Sequence, residues 1–291
     1  MKIILIGHSI IDHFDGTKEK ISKPGGIFYS TIGINSIKKS TDQIYLLTGW
    51  NRKSFHLFKD LYSKVELDRT SELIDMPEVY LKISRQSERE EVYKNMADNL
   101  SIKSVSDWNI FDGILINMIT GCDISLEQIK SIRKNFNGII YFDVHTLSRG
   151  VDEKMKREFR PIPSVNEWLA YINILQCNES ELKTIVQYQN EINSAEKILS
   201  SGPNILIITK GERGAQVYYR FNGGIKNLFI NAIKVISVNK IGCGDIFGAV
   251  FFYTYISTND IYSSLIRANK AGGIAASRNN LTSHPEIELN D

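Results

Sequence analysis

Six short runs of continuously apolar, largely β-branched residues recur along the chain: IILIG (3–7), IYLLT (44–48), GILIN (113–117), IIYFD (139–143), INILQC (172–177) and ILIIT (205–209). A strand with one wet face alternates apolar and polar residues, so a run without alternation belongs to a strand covered on both faces. Helical patterns lie between several of these runs. In SLEQIKSIRKNF (125–136), Leu126, Ile129, Ile132 and Phe136 share one stripe, with basic residues opposite and near the end. NESELKTIVQYQ (178–189) and SAEKILSS (194–201) follow the same logic. Strand alternating with helix predicts an α/β fold, a three-layer αβα sandwich around a mostly parallel central sheet.

Two segments break this rhythm. Residues 11–25 are polar with turn residues, and residues 78–97 alternate around Val79, Leu81 and Ile83 before turning charged. Alternation of this kind marks strands with one wet face. We expect the two stretches, 11–25 and 78–97, to form a small β-sheet lid; on alternation alone, surface loops account for them equally well. The main domain then comprises 1–10, 26–77 and 98–291. A chain of 291 residues suits one large domain with such an appendage.

A net charge of +2 without a dense Lys/Arg tract gives no sign of nucleic acid or an anionic membrane as the main partner, and neither is expected. Cys122, Cys177 and Cys243 are widely spaced with no C-x-x-C, which points to a reduced cytoplasmic protein rather than a disulfide framework or a zinc site. The opening MKIILIGHSIIDHF is too short in its apolar run for a signal peptide and reads as a first core strand. No segment approaches the ~20 apolar residues needed to span a bilayer.

Ligands of open α/β sheets bind beyond the C-terminal ends of the strands, and polar clusters fall at those ends here. TKGERG follows the run 205–209, where Thr209, Gly211 and Gly214 allow close backbone approach; a hairpin turn explains them as well. CNESEL follows 172–177. Asn178 fits a helix cap with Glu179 and Glu181 in the first turn, and the same carboxylates suit a hydrated magnesium ion. The strongest cluster is IGCGDIFGAVFFYTYI (241–256). A helix expected to begin around Asp245 would converge the amides of Gly242, Cys243, Gly244 and Asp245 on one point, with the helix dipole behind them. That is a cradle for a phosphate, and Asp245 beside it could take a proton from an attacking hydroxyl. Simple capping explains the aspartate but not both glycines.

This stretch resembles the signature of the ribokinase-like, PfkB-type carbohydrate kinases, D-T-x-G-A-G-D-x-F, with Gly242, Gly244, Asp245 and Phe247 matched and Cys243 in the alanine place. PGGIFYS resembles the family's sugar-contacting glycine pair, Gly25 and Gly26, and Asp12 matches an aspartate that binds substrate hydroxyls. NESE resembles N-x-x-E near magnesium and phosphate, giving Asn178 and Glu181. TKGERG resembles the nucleotide-binding T-x-G-x-x-G, giving Thr209, Gly211 and Gly214. ANKAGGIAASR (268–278) resembles the late helix that flanks adenine, with Asn269 and Gly272. The resemblance implies a ribokinase-like fold and transfer from ATP, with Mg2+, to a hydroxyl of a sugar, polyol or nucleoside, Asp245 being the base. It also implies a possible homodimer through the lid.

The chain departs from the pattern in two places. Asn239-Lys240 replaces the usual Asp-Thr, which removes a carboxylate from the monovalent-cation site and places Lys240 near the phosphates or in a solvated loop. Ser30 stands where the sugar-binding asparagine is usual. Asp143, His145 and Arg149, past another strand end, fit a hydrogen-bonded loop or a pocket wall. A dinucleotide oxidoreductase lacks its G-x-G-x-x-G here, and a P-loop lacks G-x-x-x-x-G-K-[ST]. His8, Asp12 and His13 alone make a weak metal set. The remaining rival is a kinase-like sensor without catalysis.

Overall fold

Each of the six apolar runs becomes a strand, and the six lie parallel in the spatial order Ile205–Thr209, Ile174–Asn178, Ile139–Asp143, Gly113–Asn117, Lys2–Ile6, Gln43–Leu47. Two antiparallel strands, Ala215–Phe221 and Gly224–Ile230, extend the sheet to eight beyond Ile205–Thr209. The computed structural model describes residues 1–14, 21–82, 90–187, 190–238, 240–279, 281–283, 285–287 and 289. Asn239, Ile83 and the central parts of both expected lid segments lie outside these residues.

The missing alternation has its cause in the layers. Ile3 and Leu5 pack with Leu46, Leu115 and Tyr141 on one face, while Ile4 and Ile6 pack with Ile114, Ile116 and Phe142 on the other. The first face is covered by helices Ile27–Asn35, Cys243–Thr258 and Ile261–Ala276. The second is covered by Leu126–Lys134, Val165–Leu169, Glu179–Ile185 and Glu191–Ser200. The Cys243–Thr258 helix is apolar all round because it is enclosed all round, with every residue from Ile246 to Thr254 buried.

The chain starts one strand in from an edge of the sheet. From Lys2–Ile6 it moves outward to Gln43–Leu47, then returns to Gly113–Asn117 on the other side and continues outward from there. The strand order therefore reverses between Lys2–Ile6 and Gly113–Asn117, and the crevice beyond their C-terminal ends is where such sheets hold ligands.

Beside that crevice stands a four-stranded sheet in the order Ile21–Gly26, Ser9–Phe14, Glu78–Lys82, Glu90–Lys94. The described parts of both segments, 11–25 and 78–97, thus lie in one sheet. Its buried face carries Ile10, Asp12, Val79, Leu81, Glu91 and Tyr93. Tyr93 ties this sheet to the main body: its amide donates to the Met155 carbonyl at 3.0 Å and its hydroxyl to the Ile119 carbonyl at 3.2 Å. Among the described residues no helix is long and apolar enough to cross a membrane.

Candidate active site

The helix that carries Asp245 begins two residues earlier than its sequence implies. It runs Cys243–Thr258 with Gly242 as N-cap at φ 75°, so Asp245 is its third residue and not its cap. Among the described residues no side chain caps this helix, whereas Ser125, Asn178, Asn190 and Asp260 cap four others. The positive end of the helix dipole is therefore directed at the crevice.

Asp245 is held from the side. Asn117, at the C-terminal end of its strand, donates from Nδ2 to Asp245 Oδ1 at 2.7 Å and to Ser30 Oγ at 3.2 Å. Ser30 is wholly buried, accepts from Asn117, and is not among the residues lining the pocket described below. Asp12 and Asp245 line one pocket, with Tyr29, Glu91, His145 and Gly242 among its walls. Tyr29 reaches Asp12 Oδ2 through its hydroxyl at 3.5 Å. The glycine pair makes room for this wall: a Cβ on Gly25 would lie 2.3 Å from Asp12 Oδ2, and one on Gly26 2.3 Å from the His8 carbonyl.

The Asn178 and Glu181 pair forms a capping box. Asn178 Oδ1 accepts from the amides of Ser180 and Glu181, both at 2.9 Å, and Glu181 Oε2 accepts from the Asn178 amide at 2.8 Å. The Asn178 oxygen is thus committed to the helix, which weakens its expected role as a metal ligand. Glu181 Oε1 is different: buried and without a hydrogen-bond partner, it lies 3.5 Å from His145 Nδ1 and 3.9 Å from Arg149 Nη2. An orphaned carboxylate oxygen of this kind fits a hydrated magnesium ion, which takes few protein ligands and keeps its waters. Among the described residues no group of three or more His, Cys, Asp and Glu forms a full metal cage.

Electrostatics bind this corner together. Burial drives the Asp143 carboxyl well above its ordinary range; His145 opposes that push, while Glu181 and Asp245 add to it. Burial pulls the His145 imidazole down, but the nearby carboxylates of Glu181 and Asp245 outweigh burial and Arg149, so the net direction is up. A histidine raised on folding contributes stability fully below its unfolded value near 6.5, and loses it as pH rises through the folded value. His145→Asn should therefore cost more melting temperature at pH 6 than at pH 9, by roughly 2–4 °C for about 1 kcal/mol. Thermal melts at the two pH values check this.

Of the other expected residues, Gly214 and Asn269 both meet Asn231, and Gly272 packs against the helix that carries Asp245. Thr209 ends its strand, Gly211 opens a short 3-10 turn, and Gly214 lies so close to the Ile230 carbonyl that a Cβ would fall 1.9 Å from it. Asn269 is buried and donates to the Asn231 carbonyl at 3.0 Å, and Gly272 faces the Cys243 carbonyl and the Phe247 ring. Lys240 is exposed just before Ile241. Asn117, Glu91 and Gln176 are site residues that the sequence leaves unmarked. Their one signal is a polar residue in a buried strand or at its end.

Residues 149–287 match the model of the pfkB family carbohydrate kinase. No curated protein matches the chain. Ribokinase from Thermotoga maritima superposes with a TM-score of 0.78 at 18% identity, covering 98% of this chain and 96% of that one. Ribokinase of Arabidopsis thaliana, complexed with ribose and ATP, gives 0.75 at 16% identity, with 99% and 95% covered. A pyrophosphate-dependent kinase in the ribokinase family, complexed with a pyrophosphate analog and myo-inositol, gives 0.74 at 16% identity, with 99% and 97% covered. Over its whole length the chain has the ribokinase-like fold, and over residues 149–287 its sequence matches the pfkB family carbohydrate kinase.

Proposed function

We propose that this chain transfers the γ-phosphoryl group of ATP to a hydroxyl of a sugar or sugar-like polyol. One observation carries the reading: Asp245 stands in the first turn of its helix and lines the same pocket as Asp12. An acceptor held by Asp12 and the Gly25–Gly26 turn would bring a hydroxyl to Asp245. Asp245 takes its proton, the freed oxygen attacks the γ-phosphorus, and the bond to the β-phosphate oxygen breaks to release ADP. The amides of Gly242, Cys243, Gly244 and Asp245 meet the charge that builds on the transferring group. Glu181 would hold a magnesium ion through water, and the ion when bound neutralises phosphate charge.

The donor's nucleoside end is assigned to the side bounded by Thr209, Gly211 and Gly214 and by Asn269 and Gly272, with Lys240 toward the phosphates. The four-stranded sheet acts as the lid that excludes water, and a homodimer through that sheet is the assembly we expect. The ribose and ATP bound by the Arabidopsis structure support the donor and acceptor classes. Because another matched structure is a pyrophosphate-dependent kinase, the test uses both donors. Magnesium with ATP or with pyrophosphate is supplied to a panel of sugars, polyols and nucleosides, and phosphorylated product is measured. Turnover with ATP and a sugar or polyol is expected. A nucleoside as the sole acceptor would move the protein to nucleoside kinases, and no product with either donor would leave a sensor.

A further inference from the structure

The strand Ile174–Asn178 buries one polar side chain in its middle. Ile174 faces the layer of the Cys243–Thr258 helix, and Leu175 and Cys177 face the opposite layer. Alternation puts Gln176 beside Ile174, under that helix. Gln176 is 3% exposed. A buried amide needs partners for both its ends, and here both are engaged. Its Oε1 accepts from the Tyr141 hydroxyl. Its Nε2 donates to Asp143 Oδ2 at 2.7 Å and to the Gly244 carbonyl at 3.1 Å. Since a carbonyl can only accept, the amide nitrogen must be the end that meets Gly244. The helix is notched to admit this amide: a Cβ on Gly248 would lie 2.6 Å from Gln176 Oε1 and 2.9 Å from the Tyr141 hydroxyl.

We propose that Gln176 is a positioning residue for phosphoryl transfer, fixing the peptide between Gly244 and Asp245. The inference rests on the kinase reading above. A trans peptide is planar, so the Asp245 N–H points opposite to the Gly244 carbonyl. A carbonyl held at its inner end by Gln176 aims that N–H out of the helix N-terminus, where negative charge gathers during transfer. The same peptide plane carries the Cα of Asp245, so the amide donor and the base are set by one contact. Gln176 touches no reacting atom and acts only through Gly244.

Gln176→Met keeps the length and apolar bulk of the side chain and removes its hydrogen bonds. Its kcat is expected to fall roughly 10–100-fold, below the loss for a direct oxyanion donor, with KM for ATP and acceptor within about threefold of wild type. Gly248→Ala, which displaces the amide without deleting it, should reproduce the loss. It also carries the test if Gln176→Met does not fold. Tyr141→Phe leaves both Nε2 bonds in place and should keep kcat within about threefold. A residue that merely supports the fold would lower the melting temperature and leave the kcat of folded enzyme unchanged. Wild-type kcat in folded Gln176→Met and in Gly248→Ala overturns the proposal while the kinase reading stands. A wild-type protein that transfers phosphate to no acceptor overturns both.

Discussion

Asp245→Asn is expected to lower kcat by about 10³-fold, within the range for removal of a general base, while ATP still binds with near-wild-type affinity. The substitution is a clean probe because the asparagine keeps the oxygen that accepts from Asn117 Nδ2 at 2.7 Å. Its volume is nearly the same, and Asp245 does not cap its helix, where Gly242 holds that position. The fold therefore has little reason to change, and a melting temperature within about 1–2 °C of wild type is expected, as for a surface-like substitution. A coupled ADP assay and ATP titration by calorimetry read the two quantities separately. Normal turnover in the variant would remove Asp245 as the base. A parallel loss of ATP affinity would reassign it to holding the donor.

Local pattern reveals the sheet better than it reveals the site, for a physical reason. Burial on both faces removes alternation within a strand, so IILIG or ILIIT announces its own surroundings. The helix boundary before Asp245 is harder to read. Aspartate is a strong cap signal, yet here Gly242 turns the chain at φ 75° and the helix opens at Cys243. The contacts that define the site are farther still from any local pattern. Asn117 and Asp245 are 128 residues apart, and Gln176 and Gly244 are 68 apart. Nothing in GILIN or INILQC says which helix terminus will cover the strand end. Ser30 is the counterpart case: its motif position points at substrate, and in the structure it is fully buried and accepts from Asn117. His145 and Arg149 fit a loop in the sequence, and in the structure both approach Glu181.

The glycines flanking Cys243 can be made to separate the demands of the fold from those of a ligand. Gly242 is required by the fold: its φ is 75°, and a Cβ would lie 2.2 Å from the ring of Tyr29, itself buried between helices. Gly242→Ala adds backbone strain to overpacking, together about 3 kcal/mol. The melting temperature should drop by roughly 6–12 °C, and a shifted Tyr29 would disturb Asp12 as well. Gly244 has no such cause. It is exposed in the helix, and its added Cβ would meet only Gln176 Nε2 at 3.9 Å. Helix propensity alone favours alanine there by about 1 kcal/mol, so Gly244→Ala should melt unchanged or roughly 2–4 °C higher. Its kcat/KM should nevertheless fall by about 10²-fold, because a methyl group would stand where the transferring phosphate must meet the amides. A Gly244→Ala protein that is both stable and fully active would mean that nothing approaches this turn, and the anion cradle would lose its main support.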